Sequence, residues 1–340
     1  MAGQYSNIAR AMIVMWNSKF SKIIYKRQDG FSINLNPIKL FSWLNPINRN
    51  SNKRLRINEY KTPDISFFTS SCDGLKIAGS IWLNHNKSDK WIIGAHGYNS
   101  NRIEVLYLLW HYRQLGYNII TFDFRNHGAS DGELTTWGYQ EKQDLKAIIN
   151  WLIEKYKVAT LGLVGASMGA FTINYFLLTE LELIKKANIK WAVSDSSYMS
   201  AKHLLRKMVN DNSPKFLHGI GNEVLNDILM IYKDEYKVDL SELNFTTLIE
   251  PSKQYIPVLY FHNRYDKVTN YLDSFKMCRI KNSVENSDKN QVKIYDDGIH
   301  HTKSIIEYED DYISRSLNFV RRNENASKNN QNGIKSIKID

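Results

Sequence analysis

The run Leu161-Gly162-Leu163-Val164-Gly165-Ala166-Ser167-Met168-Gly169-Ala170 decides how the chain is read. An apolar stretch enters through Gly165, reaches Ser167 and leaves through Gly169 into a second apolar stretch. This pattern describes a strand turning sharply into a helix, with a serine at the bend. Glycines two residues before and after it are what the bend requires, because side chains there would collide with the neighbouring strand and helix. The turn holds a hydroxyl above the carboxyl edge of a sheet, beside free N–H groups at a helix start. A carbonyl carbon can be attacked there and the developing negative charge held. A Gly-x-Ser-x-Gly match arises by chance in roughly one chain in ten of this length, so its surroundings have to decide.

Those surroundings alternate strand and helix from about residue 65. Ile65–Thr69 and Leu75–Leu83 read as a hairpin about the Cys72-Asp73-Gly74 turn, and Trp91–Ala95 as a short buried strand. A helix over 103–115, a strand over Asn118–Phe124 and a helix with Leu145, Ile148, Ile149 and Leu152 on one face follow. The Ser167 turn leads into a helix through Leu178 and a strand at Lys190–Ser194. Ile256–Phe261 and Val292–Tyr295 read as the last strands, separated by a helix near Leu272–Cys278, with a final helix through Val320. Such alternation predicts a mostly parallel sheet covered on both faces, with its chemistry-bearing loops on one edge. Residues 198–255 break the rhythm with a helical insert, placed either to cover the site as a lid or simply to pack. No internal repeat is present. Residues 322–340 are polar and Asn/Lys-rich and are expected to be a disordered tail.

Of the net charge of +10, residues 1–61 carry most. Ten Lys/Arg face two acids, Asp29 and Glu59, over residues 1–60. Ile8, Met12, Trp16, Phe20, Ile23 and Ile24 recur at helical spacing within residues 8–25. A basic helix of this kind either lies on an anionic membrane or packs on the rest of the protein. No nucleic-acid-binding module accompanies the charge. No run of eighteen apolar residues occurs, and no cleavable leader is evident, so a cytoplasmic location is the default expectation. Cys72 and Cys278 suggest isolated thiols, and no His-Glu-x-x-His or Cys/His cluster calls for a catalytic metal or other cofactor.

A serine hydroxyl needs a base within hydrogen-bond reach, and the base needs a carboxylate to fix its tautomer. The loops after the late strands offer Asp266 and a histidine, in the order serine, acid, histidine. Spacing alone leaves His300 and His301 open, and Asp195 also ends a strand. His96 and His127, in Gly-bearing turns, read as loop-shaping residues. Glu141 and Asp144 read as cap or ion-pair residues.

Five motifs occur in order: Gly94-Ala-His96-Gly97-Tyr98; Asp123-x-Arg125-x-His127-Gly128-x-Ser130-x-Gly132; Gly165-x-Ser167-x-Gly169; His262-x-x-x-Asp266-x-Val268; and Gly298-x-x-His301. In this combination the chain resembles the α/β-hydrolase family over residues 62–321, and within it bacterial esterase/lipase-like and peptidase-like serine hydrolases. The resemblance implies an eight-stranded, mostly parallel sheet with helices on both faces. It also implies Ser167 as nucleophile, His301 as base, Asp266 as its acid, and an oxyanion hole from the backbone N–H groups of Tyr98 and Met168. Asn263 stands where the family usually has glycine, and asparagine tolerates unusual backbone angles. The expected reaction is metal-independent hydrolysis of a carboxylic ester, on a small or lipid-like acyl substrate. Thioesterase, peptidase and non-catalytic binding roles are the alternatives.

Overall fold

The computed structural model describes residues 3–18, 62–84, 88–212, 219–250 and 255–335. Eight strands form one sheet: β1 (Ile65–Ser70), β2 (Lys76–Trp82), β3 (Lys90–Ala95), β4 (Asn118–Phe122), β5 (Thr160–Ala166), β6 (Ile189–Asp195), β7 (Val258–Asn263) and β8 (Gln291–Tyr295). Their order is β1-β2-β4-β3-β5-β6-β7-β8. β2 runs antiparallel to both β1 and β4, and every other neighbouring pair is parallel. The chain is thus an eight-stranded, mostly parallel α/β sheet.

The strand sequences fit this double-sided burial. Trp91, Ile93, Leu161, Leu163 and Ala192 face one core, while Ile92, Val164, Trp191 and Val193 face the other. Successive side chains of a strand point to opposite faces, so a strand buried on both sides reads as continuously apolar. The first core is covered by α2 (Glu141–Lys155), α3 (Met168–Thr179), α4 (Leu181–Lys186) and α8 (Tyr271–Glu285). The second lies under two 3-10 segments, Glu104–Leu108 and Trp110–Leu115, and under the C-terminal helices α9 (Ser304–Glu307) and α10 (Glu309–Lys335). β3 pairs with β4 on one side and β5 on the other. The strand order therefore reverses between β3 and β5, and the crevice beyond their carboxyl ends is where such sheets bind ligands.

Two expectations need correction, and the position of Asn263 is clarified. The helix over 103–115 is two 3-10 segments. Val105 to Leu109 are all buried, so no solvated face sets a 3.6-residue period, and i→i+3 turns close instead. The disordered tail from residue 322 is helical through Lys335. Its early part is tethered, because Glu324 accepts hydrogen bonds from Lys90 (2.8 Å) and from the Tyr117 hydroxyl. Asn263 adopts no left-handed angle. It is the last residue of β7, and its side chain is buried in a hydrogen-bond network.

The insert holds α5 (Ala201–Asn212), α6 (Gly221–Asp234) and α7 (Phe245–Leu248). Tyr198, just before α5, donates to the Trp137 carbonyl at 2.7 Å, and Tyr232 of α6 to the Thr135 carbonyl at 2.9 Å. The N-terminal helix α1 (Ser6–Asn17) packs on α6 with Ala9, Met12, Ile13 and Trp16 buried. The Tyr5 N–H donates to Asp227 at 2.8 Å, and Arg10 pairs with Glu235. The apolar stripe of α1 is therefore used for packing, and the rest of the stretch read as a helix, residues 19–25, lies outside the described residues. No helix among the described residues is long and apolar enough to cross a membrane.

A buried ion pair fixes the loop after β4. Arg125 donates to Asp144 of α2 through Nη2 (2.7 Å) and Nε (3.0 Å), and to Asp73 at 2.7 Å. Asp144→Ala would leave a desolvated guanidinium short of its main partner, and removing one member of a buried pair costs about 3 to 5 kcal/mol. Urea unfolding is expected to show a loss of that size.

Candidate active site

Ser167 sits between β5 and α3 with φ +52° and ψ −115°. A positive φ on a non-glycine residue costs about 1 to 3 kcal/mol and persists only where its surroundings enforce it. The enforcement is visible. The Ser167 N–H donates to the Asp195 carbonyl at 2.8 Å, and its carbonyl accepts from the Phe171 N–H at 2.9 Å. A Cβ on Gly165 would come within 2.6 Å of the Gly169 and Ala170 backbone, and one on Gly169 within 2.2 Å of the Ala95 carbonyl oxygen. The two glycines let β5, α3 and the end of β3 close on one another. Ser167 remains 8 % exposed.

The loop after β3 lies against this turn, since a Cβ on Gly97 would stand 3.3 Å from the Ser167 Cβ. The backbone N–H groups of Tyr98 and Met168 donate to no acceptor among the described residues. Met168 opens α3, where N–H groups have no partner inside the helix.

His96 and His127 hold this loop. The Phe124 N–H donates to His96 Nε2 at 3.0 Å, which leaves Nδ1 to donate to the Gly97 carbonyl at 2.7 Å. Burial pushes the His96 imidazole down to about 4, so it stays neutral. The Asn99 N–H donates to His127 Nε2 at 3.2 Å, and His127 Nδ1 donates to the Arg125 carbonyl at 2.9 Å. Glu141 accepts from the Thr136 and Gly138 N–H groups at 2.7 and 2.8 Å. The loop-shaping role read for the two histidines matches these contacts, whereas Glu141 holds the loop before α2 and does not cap the helix.

Asp266 follows β7, and its carboxylate is fully buried. It accepts from the Val268 and Thr269 N–H groups at 2.7 and 3.1 Å. His301 Nδ1 lies 2.7 Å from its Oδ2. Burial raises the carboxyl, but hydrogen bonds from His262 and His301 outweigh that and hold it well below the usual carboxylate range. His301 is 20 % exposed and lines one cavity together with Ser167. No hydrogen bond joins the two across it.

The structure also separates the alternatives. His300 turns away and pairs through Nδ1 with Glu307 of α9. Asp195 accepts from the Ser196 hydroxyl at 2.8 Å and meets neither imidazole by a hydrogen bond. The cavity wall comes from segments within residues 96–107, 166–167 and 301–303, and none of the described residues of 198–255 contributes to it.

Sequence reasoning assigned no role to the side chains of His262, Asn263 and Tyr98. His262 Nε2 lies 3.3 Å from Asp266, while its Nδ1 meets the Ser274 hydroxyl at 2.8 Å. The Asn263 side-chain amide donates to the His300 carbonyl at 2.7 Å and accepts from the Ser304 hydroxyl at 3.0 Å, tying the histidine loop to β7. Tyr98 donates its hydroxyl to the Trp16 carbonyl at 2.6 Å, joining α1 to the loop after β3. The four-residue spacing of His262 and Asp266 was a signal of the first contact. The others join distant segments.

The family described as alpha/beta hydrolase fold matches residues 90–228, the stretch from β3 through the serine turn. This chain has the α/β-hydrolase fold. Among solved structures, the Pyrococcus furiosus esterase Pf2001 shares 26 % identity with this α/β-hydrolase-fold chain at a TM-score of 0.56, covering 78 % of this chain and 92 % of that one. Est1E from Butyrivibrio proteoclasticus, solved with ferulic acid bound, shares 16 % at 0.52 over 74 % and 99 %. At that identity it speaks for the fold alone. The uncharacterized protein YqkD of Bacillus subtilis is 34 % identical over 108 residues, which span 32 % of this chain and 35 % of its own length. Among the described residues no group of three or more His, Cys, Asp or Glu is arranged to hold a metal ion.

Proposed function

We propose that the protein is a serine hydrolase of carboxylic esters that works through an acyl-enzyme without a metal. The observation carrying this reading is the convergence of the strained Ser167 and an Asp266-paired His301 on one cavity. The likeness to the Pyrococcus furiosus esterase supports the choice of ester over other acyl substrates.

In this reading Ser167 Oγ attacks the ester carbonyl carbon while His301 Nε2 takes its proton. The carbonyl oxygen becomes an oxyanion against the N–H groups of Tyr98 and Met168. The C–O bond to the alcohol then breaks, the alcohol leaves with the proton from His301, and the acyl group stays on Ser167. Water, giving its proton to His301, attacks the acyl-enzyme and frees the acid and the serine. Asp266, kept ionised by its partners, holds the imidazole in the tautomer with Nδ1 protonated.

Stopped-flow mixing with 4-nitrophenyl acetate tests the two-step scheme. The expected trace is a burst of 4-nitrophenol approaching one equivalent per enzyme, or single-phase turnover if acylation limits, with hydroxylamine then giving acetohydroxamate by capturing the acyl group. A matched thioester and an anilide complete the comparison. An anilide turned over faster than the ester would replace this reading with a peptidase, and no turnover of any of them would favour a binding role.

A further inference from the structure

We propose that the cavity beside Ser167 is a recognition site for a carboxylate carried by the ester substrate, with the Lys303 ammonium as its counter-ion. The proposal rests on the esterase reading for the cavity's use, and adds to it the substrate class.

Thr302 has φ +57°, an unusual angle for a β-branched residue. It is held there through the peptide groups on both sides of its Cα, because the Tyr107 hydroxyl donates to its carbonyl at 2.7 Å and its N–H donates to the Ser196 hydroxyl at 3.2 Å. The kink brings His301 and Lys303, on either side of it, to the same cavity.

Lys303 lies 4.9 Å from the centroid of the Tyr107 ring. Among the described residues it has no carboxylate within ion-pair distance and no hydrogen-bond acceptor. Glu104, also on the cavity wall, spends one oxygen on the Ser100 hydroxyl at 2.6 Å. Burial lowers the lysine to about 8, while Glu104 and Asp195 act at longer range to keep it protonated. An ammonium that stays charged at neutral pH, half out of water and without an acceptor, is a site waiting for one.

Size and charge narrow the ligand. The cavity measures about 120 Å³, and an apolar cavity of about 150 Å³ takes up benzene. A short substituent therefore fits inside it. A single carboxylate suits one lysine, whereas a doubly charged phosphate would add a second negative charge beside Glu104 on the same wall.

Two pairs of esters of matched shape test this. Monoethyl succinate against ethyl 4-methylpentanoate places the carboxylate on the acyl side. O-acetylglycolate against isobutyl acetate places it on the alcohol side. We expect kcat/KM to favour the charged member of one pair by about tenfold or more. That ratio should fall to about one or below in Lys303→Met, survive in large part in Lys303→Arg, and rise in Glu104→Gln. Because the ratio is taken within each variant, general damage to the enzyme cancels. A wild-type ratio below one in both pairs, or a ratio unmoved by Lys303→Met, overturns the proposal.

Absence of turnover on all four esters would count against the esterase reading. Calorimetric titration of Ser167→Ala with monoethyl succinate then decides the anion site by itself. Binding about tenfold tighter than that of the neutral ester, and lost in Ser167→Ala/Lys303→Met, upholds it, and equal binding of the two esters overturns it.

Discussion

Ser167→Ala is expected to lower kcat on an activated ester by on the order of a million-fold, with a residue of about a thousand-fold over water left from the oxyanion donors and binding. The size follows from what the hydroxyl does. It is the atom that forms the new bond, and neither the Tyr98 and Met168 N–H groups nor the His301 imidazole can substitute for it. The backbone strain at φ +52° is enforced by the Asp195 carbonyl, the Phe171 N–H and the close packing of Gly165 and Gly169. Alanine should therefore keep the turn, and the urea midpoint should stay near that of the wild type. Steady-state kinetics at enzyme concentrations high enough to read the residual rate check this, with a separately prepared variant to exclude wild-type carry-over.

The second large effect separates the adjacent histidines. His301→Ala should cost about 10⁴- to 10⁶-fold in kcat, and Asp266→Asn about 10⁴-fold by turning the imidazole to the wrong tautomer. His300→Ala should cost less than about tenfold, because His300 engages Glu307 and only its backbone carbonyl, held by Asn263, supports the loop. Equal losses at the two histidines would mean that the loop as a whole, and not the 2.7 Å bond to Asp266, carries the effect. Rates for the three variants on one ester, measured at several pH values, check the ranking.

Much of this was legible because its causes are local. The glycines around Ser167 constrain a five-residue turn, and the apolar runs at β3, β5 and β6 state that both faces of the sheet are covered. The Asp266 turn was legible from its place after a late strand. What could not be read depends on distant partners. His300 and His301 are equivalent by spacing, and only Glu307 on α9 against Asp266 after β7 tells them apart. The segment 104–115 carries a helix's composition, but the continuous burial of Val105 to Leu109 removes the amphipathic face that would set the period there. The tail stays helical partly because Glu324 meets Lys90 and Tyr117, more than two hundred residues away in the sequence. Asn263 looked like a backbone substitution for glycine, yet its side chain is what the fold uses. The wall of the cavity needs the kink at Thr302, which no pattern in the sequence announces.

The most direct test of the central claim is where a fluorophosphonate attaches. The protein should be labelled with the reagent at neutral pH, digested, and mapped by tandem mass spectrometry. The expected result is one phosphonyl group per chain, on Ser167 in the peptide that includes Gly165 and Gly169, with labelling strongly slowed in His301→Ala. An adduct on any other residue, or an unmodified Ser167 in protein that turns over an ester, would contradict the account.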